Sequence, residues 1–437
     1  MRLSRSVLIC VGLCLSAMAH AVTTAPPFPR IATVNYSAPQ NYDSAAFQAN
    51  LAKFNISILS IWPGWENGRA MNMQQVVSNI KKLNPQTSVF LYISNNEVAT
   101  NAAPFSDLTN KLNAMHWWLY PSGTSGTPVS SAWAGSLETN NTLFTAPDSN
   151  GDRWVDWYAK WTAQKFYVPS PSIDGFFTDN VFYRPRVTGD WNLDGVPDLN
   201  TSLTVDQWYR DGYNRHFSVL NQVMPGKLQI GNVADWGGST TVLTGLTGVL
   251  NGGFMEGAIG YPYSSETWGG WSEMMREYRK IMASLAAPKM FIFGQVGLAN
   301  DYQSFRYGLA SCLMDDGYFQ YSILGNEYSG TTWFDEYNVQ LGNSTSGPAT
   351  AAWQNGVYRR DYQNGIVLVN PKGNGSQTVQ LETSFKHFSG SQASAINNGQ
   401  VVQSVTLNDR DGVVLLRIQP IPPSGAQPLP PASVVVQ

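Results

Sequence analysis

The spacing of short apolar runs limits most strongly what this chain can become. Eight such runs occupy residues 30–37, 56–64, 88–97, 173–181, 228–235, 248–259, 289–297 and 317–325, each ending in polar or glycine residues. Runs of this length and character are strands buried on both faces. Amphipathic stretches lie between them. Asp43 can cap a helix with Phe47, Leu51 and Phe54 on one face, and Met73, Val76, Ile80 and Leu83 form the next stripe. A further stripe runs through Trp271, Met274, Tyr278, Ile281 and Leu285. Thr204 and Gln207 have the spacing of a capping box, and Leu203 with Trp208 that of a hydrophobic staple. The alternation predicts an α/β fold, a closed (β/α)8 TIM barrel over residues 22–344. An open doubly wound sheet is the alternative, but no Gly-rich dinucleotide fingerprint follows the first strand.

After about residue 345 the pattern changes to the short runs VYRRDY, GIVLVNP, TVQLE, VVQSVTL and GVVLLRIQ. These predict a small C-terminal antiparallel β-sandwich over 345–420, with hairpin signals at Asn364-Gly365 and Asp411-Gly412. Residues 421–437 are Pro-rich and read as an extended tail. The segment 98–172 is long for a barrel loop. With MHWWLYP and Trp133 it is expected to fold over the strand ends and wall a cleft.

At the other end, Arg2 and Arg5, the apolar stretch Val7–Ala17 and Ala19-His20-Ala21 read as an export leader over 1–21. A secreted or periplasmic protein is therefore expected, and no later stretch is long and apolar enough to span a membrane. Removing the leader leaves Cys312 as the sole cysteine. Its helical spacing from Phe305 and Leu309 makes it a small buried hydrophobe rather than a catalytic thiol.

A formal charge of −3 offers no basic field to grip nucleic acid. Only 4 histidines occur in the chain, so a multi-histidine metal centre is not expected. In a barrel the reacting groups sit at the C-terminal ends of the strands. Those ends carry carboxylates, amides and aromatics, with no Ser-His-Asp or Cys-His set. Carboxylates alone suit glycoside hydrolysis, where one protonates the leaving oxygen and the other attacks the sugar or activates water. Asp179, emerging from Phe176-Phe177, is the candidate nucleophile or base. Glu256, among Gly252, Gly253 and Gly257, is the candidate general acid, its apolar neighbours raising the carboxyl pKa. Tyr36, Trp62, Glu97, Asn180, Asn232, Asp235 and Gln295 are candidates for holding sugar. Asp174, at the start of the same run as Asp179, is expected to be structural.

DGFFTDNVFYRP, the following GDWNLDGVPD and the later GGFMEG resemble hypothetical glycosyl hydrolase family 15, a set of TIM-barrel proteins. The DGFFTDN strand is also similar to the fourth strand of endo-α-1,4-polygalactosaminidase-like enzymes. The resemblance covers about residues 30–340, and NGIVLVNP resembles the β-domain that often follows such barrels. It implies a nucleophile or base at Asp179 and an acid from a later strand at Glu256, and leaves the substrate open.

Asp190, Asn192, Asp194 and Asp198 alternate oxygen side chains around Gly195, the arrangement of a short calcium loop, though without the distal Glu of an EF-hand, and a metal-free Asx-turn loop is the alternative. Asp148, Asn150, Asp152 and Asp156 repeat the spacing with Arg153 where glycine is expected, and read as a turn that caps a helix near Trp154. The expectation is an exported glycoside hydrolase acting on a poly- or oligosaccharide, needing no cofactor for its chemistry and carrying at most a structural Ca2+. The rival is a catalytically inactive carbohydrate-binding barrel that handles exopolysaccharide. Carboxyls of Asp179 and Glu256 more than about 12 Å apart, too far for either glycosidase geometry, favour the rival.

Overall fold

The computed structural model describes residues 25–60, 71–100, 105–233 and 246–418. The leader, Trp62, Asp235 and the Pro-rich tail lie outside the described residues. The chain begins with β1 (Ala32–Asn35), α1 (Ala45–Leu51), β2 (Ile56–Leu59), α2 (Met73–Leu83) and β3 (Ser88–Ile93). An insertion follows, with the hairpin strands β4 (Glu97–Ala99) and β5 (Ser136–Glu138) and helices α3 (Ser106–Met115) and α4 (Trp154–Thr162). The barrel resumes with β6 (Gly175–Thr178), α5 (Leu203–Val223), β7 (Leu228–Asn232), β8 (Gly252–Ile259), α6 (Ser265–Ser284), β9 (Ile292–Gly297), α7 (Tyr302–Leu313) and β10 (Tyr318–Ile323).

The eight predicted runs all supply a strand to one parallel sheet of order β1-β2-β3-β6-β7-β8-β9-β10. A parallel bridge from Ile31 to Phe319 and a 2.8 Å bond from the Phe319 amide to the Arg30 carbonyl join its two edges. Closure of this kind removes exposed strand edges. Alternate residues point inward: Ala32, Val34, Ile56, Ile58, Phe90, Phe177, Ile230, Phe254 and Ile292 fill the barrel. Their neighbours, such as Phe176, Met255 and Phe293, pack against the helices. Asp174 lies at the opposite end from the cleft, accepting from the Val89 amide at 2.6 Å and pairing with Lys81 at 2.5 Å.

Two helix starts differ from expectation. α1 is capped by Ser44, whose hydroxyl accepts from the Phe47 amide, while Asp43 turns to accept from the Met71 amide at 3.2 Å. α5 begins after Ser202, two residues ahead of the expected Thr204 cap, and Leu203 is 72% exposed, so no staple forms. Trp208 instead packs edge-on against Phe144 of the insertion. Near Trp154 the acidic turn is as expected. Asp148 accepts from the Asn150 and Asp152 amides and Asp156 from the Arg153 amide, with Lys111 and Lys160 paired to Asp148 and Asp152.

Beyond the barrel, β11 (Tyr358–Asp361), β12 (Gly365–Asn370), β13 (Gln377–His387), β14 (Val401–Leu407) and β15 (Asp411–Arg417) form an antiparallel sheet of order β11-β12-β15-β13-β14. β13 shifts register between Gln380 and Phe385. Val379, Leu381, Val405 and Leu407 share a small core with Ile366, Leu368, Val413 and Leu415. A hairpin forms at Asn364-Gly365. Asp411-Gly412 is not a turn, because Asp411 opens β15 opposite Asn370. The glycine is there for close approach: a Cβ on Gly412 would lie 2.5 Å from the Ala310 Cβ and 2.7 Å from the Arg306 carbonyl oxygen. Beside it Asp411 and Arg306, both under a tenth exposed, pair at 2.9 Å. β15 therefore docks directly on α7. Among the described residues no helix is long and apolar enough to cross a membrane.

Overpacking this joint is expected to destabilise the protein. Gly412→Ala should cost about 1–3 kcal/mol in urea denaturation. A variant as stable as the parent would mean that the joint yields freely.

Candidate active site

Three inward-pointing residues at neighbouring strand ends make the centre of the site. Asp179 follows β6 in the same alternation as Phe177, Asn232 ends β7 two residues after Ile230, and Glu256 follows Phe254 in β8. Glu256 lies where β8 slips register against β9, between Met255 and Ile259. Irregularities of this kind re-aim side chains. The Asn232 amide nitrogen donates to Oδ1 of Asp179 at 2.9 Å and to Oε2 of Glu256 at 2.8 Å. Both of its hydrogens are thus spent on the two carboxyls. The separation expected of an inactive barrel is not found.

The two carboxyls are held differently. Asp179 also accepts from the Tyr92 hydroxyl at 2.6 Å and from the Asn180 amide at 2.9 Å. Glu256 has one further donor, the Tyr328 hydroxyl at 2.7 Å. Burial raises both pKa values, and for Glu256 the negative charge of Asp179 adds to the rise. Hydrogen bonds from Tyr92, Asn232 and Asn180 oppose the rise at Asp179. Among the described residues, Lys and Arg contribute to neither shift. Two such groups over an apolar barrel interior cannot both ionise cheaply. Burial and mutual repulsion therefore favour one proton shared between the pair over two charges.

Tyr36 lies between the two supporting phenols, edge-on to Tyr92 at 4.7 Å and to Tyr328 at 5.4 Å. It belongs to the cleft floor. Glu97 opens the insertion hairpin and accepts from the Ser131 hydroxyl and, at 3.2 Å, from the Asn180 side-chain amide. Asn180 has a left-handed backbone, φ 54°, and its carbonyl accepts from the Tyr213 hydroxyl at 2.6 Å. Asn180 and Asn232 were expected to hold sugar. Their amide donors instead hold Glu97, Asp179 and Glu256.

Gln295 is removed from the cleft altogether. It takes the outward alternation of β9 with Phe293, is 1% exposed, and donates to the carbonyl and hydroxyl of Ser304 at the start of α7. The oxygen-rich loop is self-bonded. Asp190 accepts from the amides of Gly123, Asp194 and Gly195, Asp194 accepts from the Val196 amide, and Asp198 from the amides of Trp191 and Asn192. Among the described residues no three His, Cys, Asp or Glu side chains converge as a metal site.

Glu138 was not anticipated. It is paired in register with Glu97 across β4 and β5 and is 1% exposed. Oε1 has a 3.5 Å contact from the Asn96 amide, the Ser131 hydroxyl lies close by, and among the described residues Oε2 has no hydrogen-bond partner. Burial, then the Glu97 charge, raises its pKa to about 8, while burial and Asp179 raise Glu97 to about 7. Tyr92 and Tyr328 were also missed. Tyr92 shares the inward alternation of Phe90, a signal available in the run, whereas Tyr328 comes from a loop after β10 that carries no pattern.

A sequence profile of hypothetical glycosyl hydrolase family 15 matches residues 81–366, most of the barrel and the start of the C-terminal sheet. The chain belongs to that family. It is a glycoside hydrolase. No curated protein sequence matches it. Among solved structures it is similar to an α-amylase from Geobacillus thermoleovorans complexed with acarbose, at 13% identity over 88% of this chain and 95% of that one, TM-score 0.46. It is also similar to the glycoside hydrolase domain of PelA from Pseudomonas aeruginosa, at 16% identity over 68% and 95%, TM-score 0.41. Amy13B of Eubacterium rectale aligns at 10% identity over 87% and 91%, TM-score 0.48.

The buried acid at Glu138 makes a pH prediction. Its folded pKa of about 8 lies above the ordinary 4.5. The stability held by its proton is therefore full below about 4.5 and is lost as pH rises through about 8. Glu138→Gln, which keeps the neutral form, should melt several degrees above the parent at pH 8.5, with the gap closing toward pH 4.5. A gap that does not change with pH would contradict a protonated Glu138.

Proposed function

We propose that this family 15 hydrolase cleaves O-glycosidic bonds of a poly- or oligosaccharide by double displacement, with Asp179 as nucleophile and Glu256 as general acid and base. The observation that carries the reading is the shared Asn232 amide. Two oxygens bonded to one nitrogen at 2.9 and 2.8 Å cannot be further apart than those lengths end to end. That limit is below the roughly 6.5–9.5 Å that an inverting pair leaves for water, and suits the roughly 5–5.5 Å of a retaining pair.

The difference in donors supports the division of roles. Asp179, held as the anion by three donors, keeps one lone pair, on Oδ2, with which to attack the anomeric carbon. Glu256 carries the shared proton and delivers it to the departing oxygen. The same carboxylate then takes a proton from water as the glycosyl–Asp179 ester is hydrolysed. Tyr92 and Tyr328 hold the two carboxyls in place through each step.

Asp179→Asn should lower turnover by orders of magnitude on every substrate. Glu256→Gln should nearly stop cleavage of the natural polysaccharide and spare much of the rate on an aryl glycoside with a good leaving group. Anomeric NMR of the first product should show retained configuration, and net inversion would overturn double displacement.

The leader-like residues 1–21 support export to the periplasm or medium, where polysaccharide is encountered. For the loop from Asp190 to Asp198 the reading is a structural calcium ion, supported by the oxygen side chains that alternate around Gly195, with a metal-free turn held by its own backbone amides as the alternative. Calcium should raise the melting temperature and Asp194→Ala should erase the rise. Superimposable melts in calcium and chelator would end that reading.

A further inference from the structure

The exposed aromatic rings near the carboxyls are not scattered singly. Trp133, 41% exposed, lies on Phe182 with ring centroids 5.6 Å apart and planes within 5°. Tyr263, 49% exposed, lies on Tyr261 at 4.7 Å and 10°. In each pair one ring backs the other and leaves the outer ring open to solvent. A flat, rigid, backed ring is suited to the apolar face of a pyranose, as it is to other flat ligands.

Each pair is tied to one carboxyl. The Phe182 amide donates to the Asn180 carbonyl at 2.7 Å, next to Asp179, and the Trp133 amide contacts at 3.3 Å the Ser131 hydroxyl that donates to Glu97. On the other side the Tyr263 ring lies 3.4 Å from where a Gly257 Cβ would be, and Gly257 adjoins Glu256. The sheet order β3-β6-β7-β8-β9 separates the two pairs. Trp133 belongs to the insertion that leaves β3, Phe182 follows β6, and both tyrosines follow β8.

We propose that Trp133–Phe182 and Tyr261–Tyr263 are two sugar-stacking subsites flanking the carboxyl pair, so that a saccharide chain crosses Asp179 and Glu256 with a pyranose ring on each platform. The proposal rests on the glycosidase reading and assigns the residues that grip the chain.

The test compares Trp133→Ala, Trp133→Phe, Tyr263→Ala and Tyr263→Phe with the parent, on the soluble oligosaccharide that the parent cleaves fastest and on an activated aryl monoglycoside. Each alanine variant should raise KM on the oligosaccharide about tenfold or more, the loss expected of one stacked ring, with kcat changed less than about threefold. On the aryl monoglycoside at least one of the two alanine variants should match the parent, because a single sugar cannot fill both platforms. The phenylalanine variants keep a ring and should stay within about threefold on both substrates, which separates lost stacking from misfolding. Alanine variants within about twofold of the parent on the oligosaccharide would overturn the subsites while leaving the glycosidase intact. No turnover by the parent on any substrate would sink the glycosidase reading instead. In that case quenching of intrinsic fluorescence by the same oligosaccharide decides the subsites, and undiminished affinity in Trp133→Ala rejects them.

Discussion

Two carboxyls above an apolar barrel interior repel one another, and the Asn232 side chain is what allows them to stand together. Its one amide group satisfies an oxygen on each, while Tyr92 and Tyr328 each supply a second donor. Below them Phe177, Ile230 and Phe254 exclude water, so the electrostatic penalty of two charges is high and both carboxyl pKa values are raised. The arrangement depends on three strands keeping the same alternation to their ends. A slip of one residue in β7 would turn Asn232 toward the helices and leave the carboxyls without their common donor.

The insertion extends the same acidic cluster rather than neutralising it. Glu138 and Glu97 face each other across the hairpin, Glu97 holds the Asn180 side chain, and the Asn180 backbone amide holds Asp179. Among the described residues, Lys and Arg contribute to the shift of none of these three carboxyls. Protons, hydroxyls and amides take the part that cations take in an ordinary buried ion cluster. Asn180 keeps its left-handed backbone because Glu97 at its side chain and Tyr213 at its carbonyl hold it from both ends.

On the far side of the barrel α7 serves two partners at once. Its first turn receives the Gln295 side chain from β9, and its outer face receives Gly412 and Asp411 from β15. The C-terminal sheet is thereby joined to the barrel wall by close backbone approach and a buried ion pair. Arg410, which pairs with Glu266 of α6 at 3.0 Å, extends the joint to the next helix.

The eight strands and most helical stripes were legible in the sequence because each is a local pattern. An apolar run of five or six residues has few other fates, and Met274, Tyr278 and Ile281 repeat at the helical period. Asp179 and Glu256 could be picked out because a carboxylate beside such a run needs a strand mouth to emerge from. What local pattern could not say is which face each residue takes. A strand buried on both sides shows no polar alternation, so Gln295, which faces α7, read the same as an inward-facing residue. Nor could it say how amides are used: Asn180 and Asn232 stood in the right places, but their donors are consumed by carboxyls that arrive from other strands. Glu138, Tyr328 and the ring pairs come from loops and an insertion far apart in the chain. Only closure of the barrel brings them to the same strand ends, and the low-dielectric interior that this closure creates raises the pKa of the carboxyls gathered there.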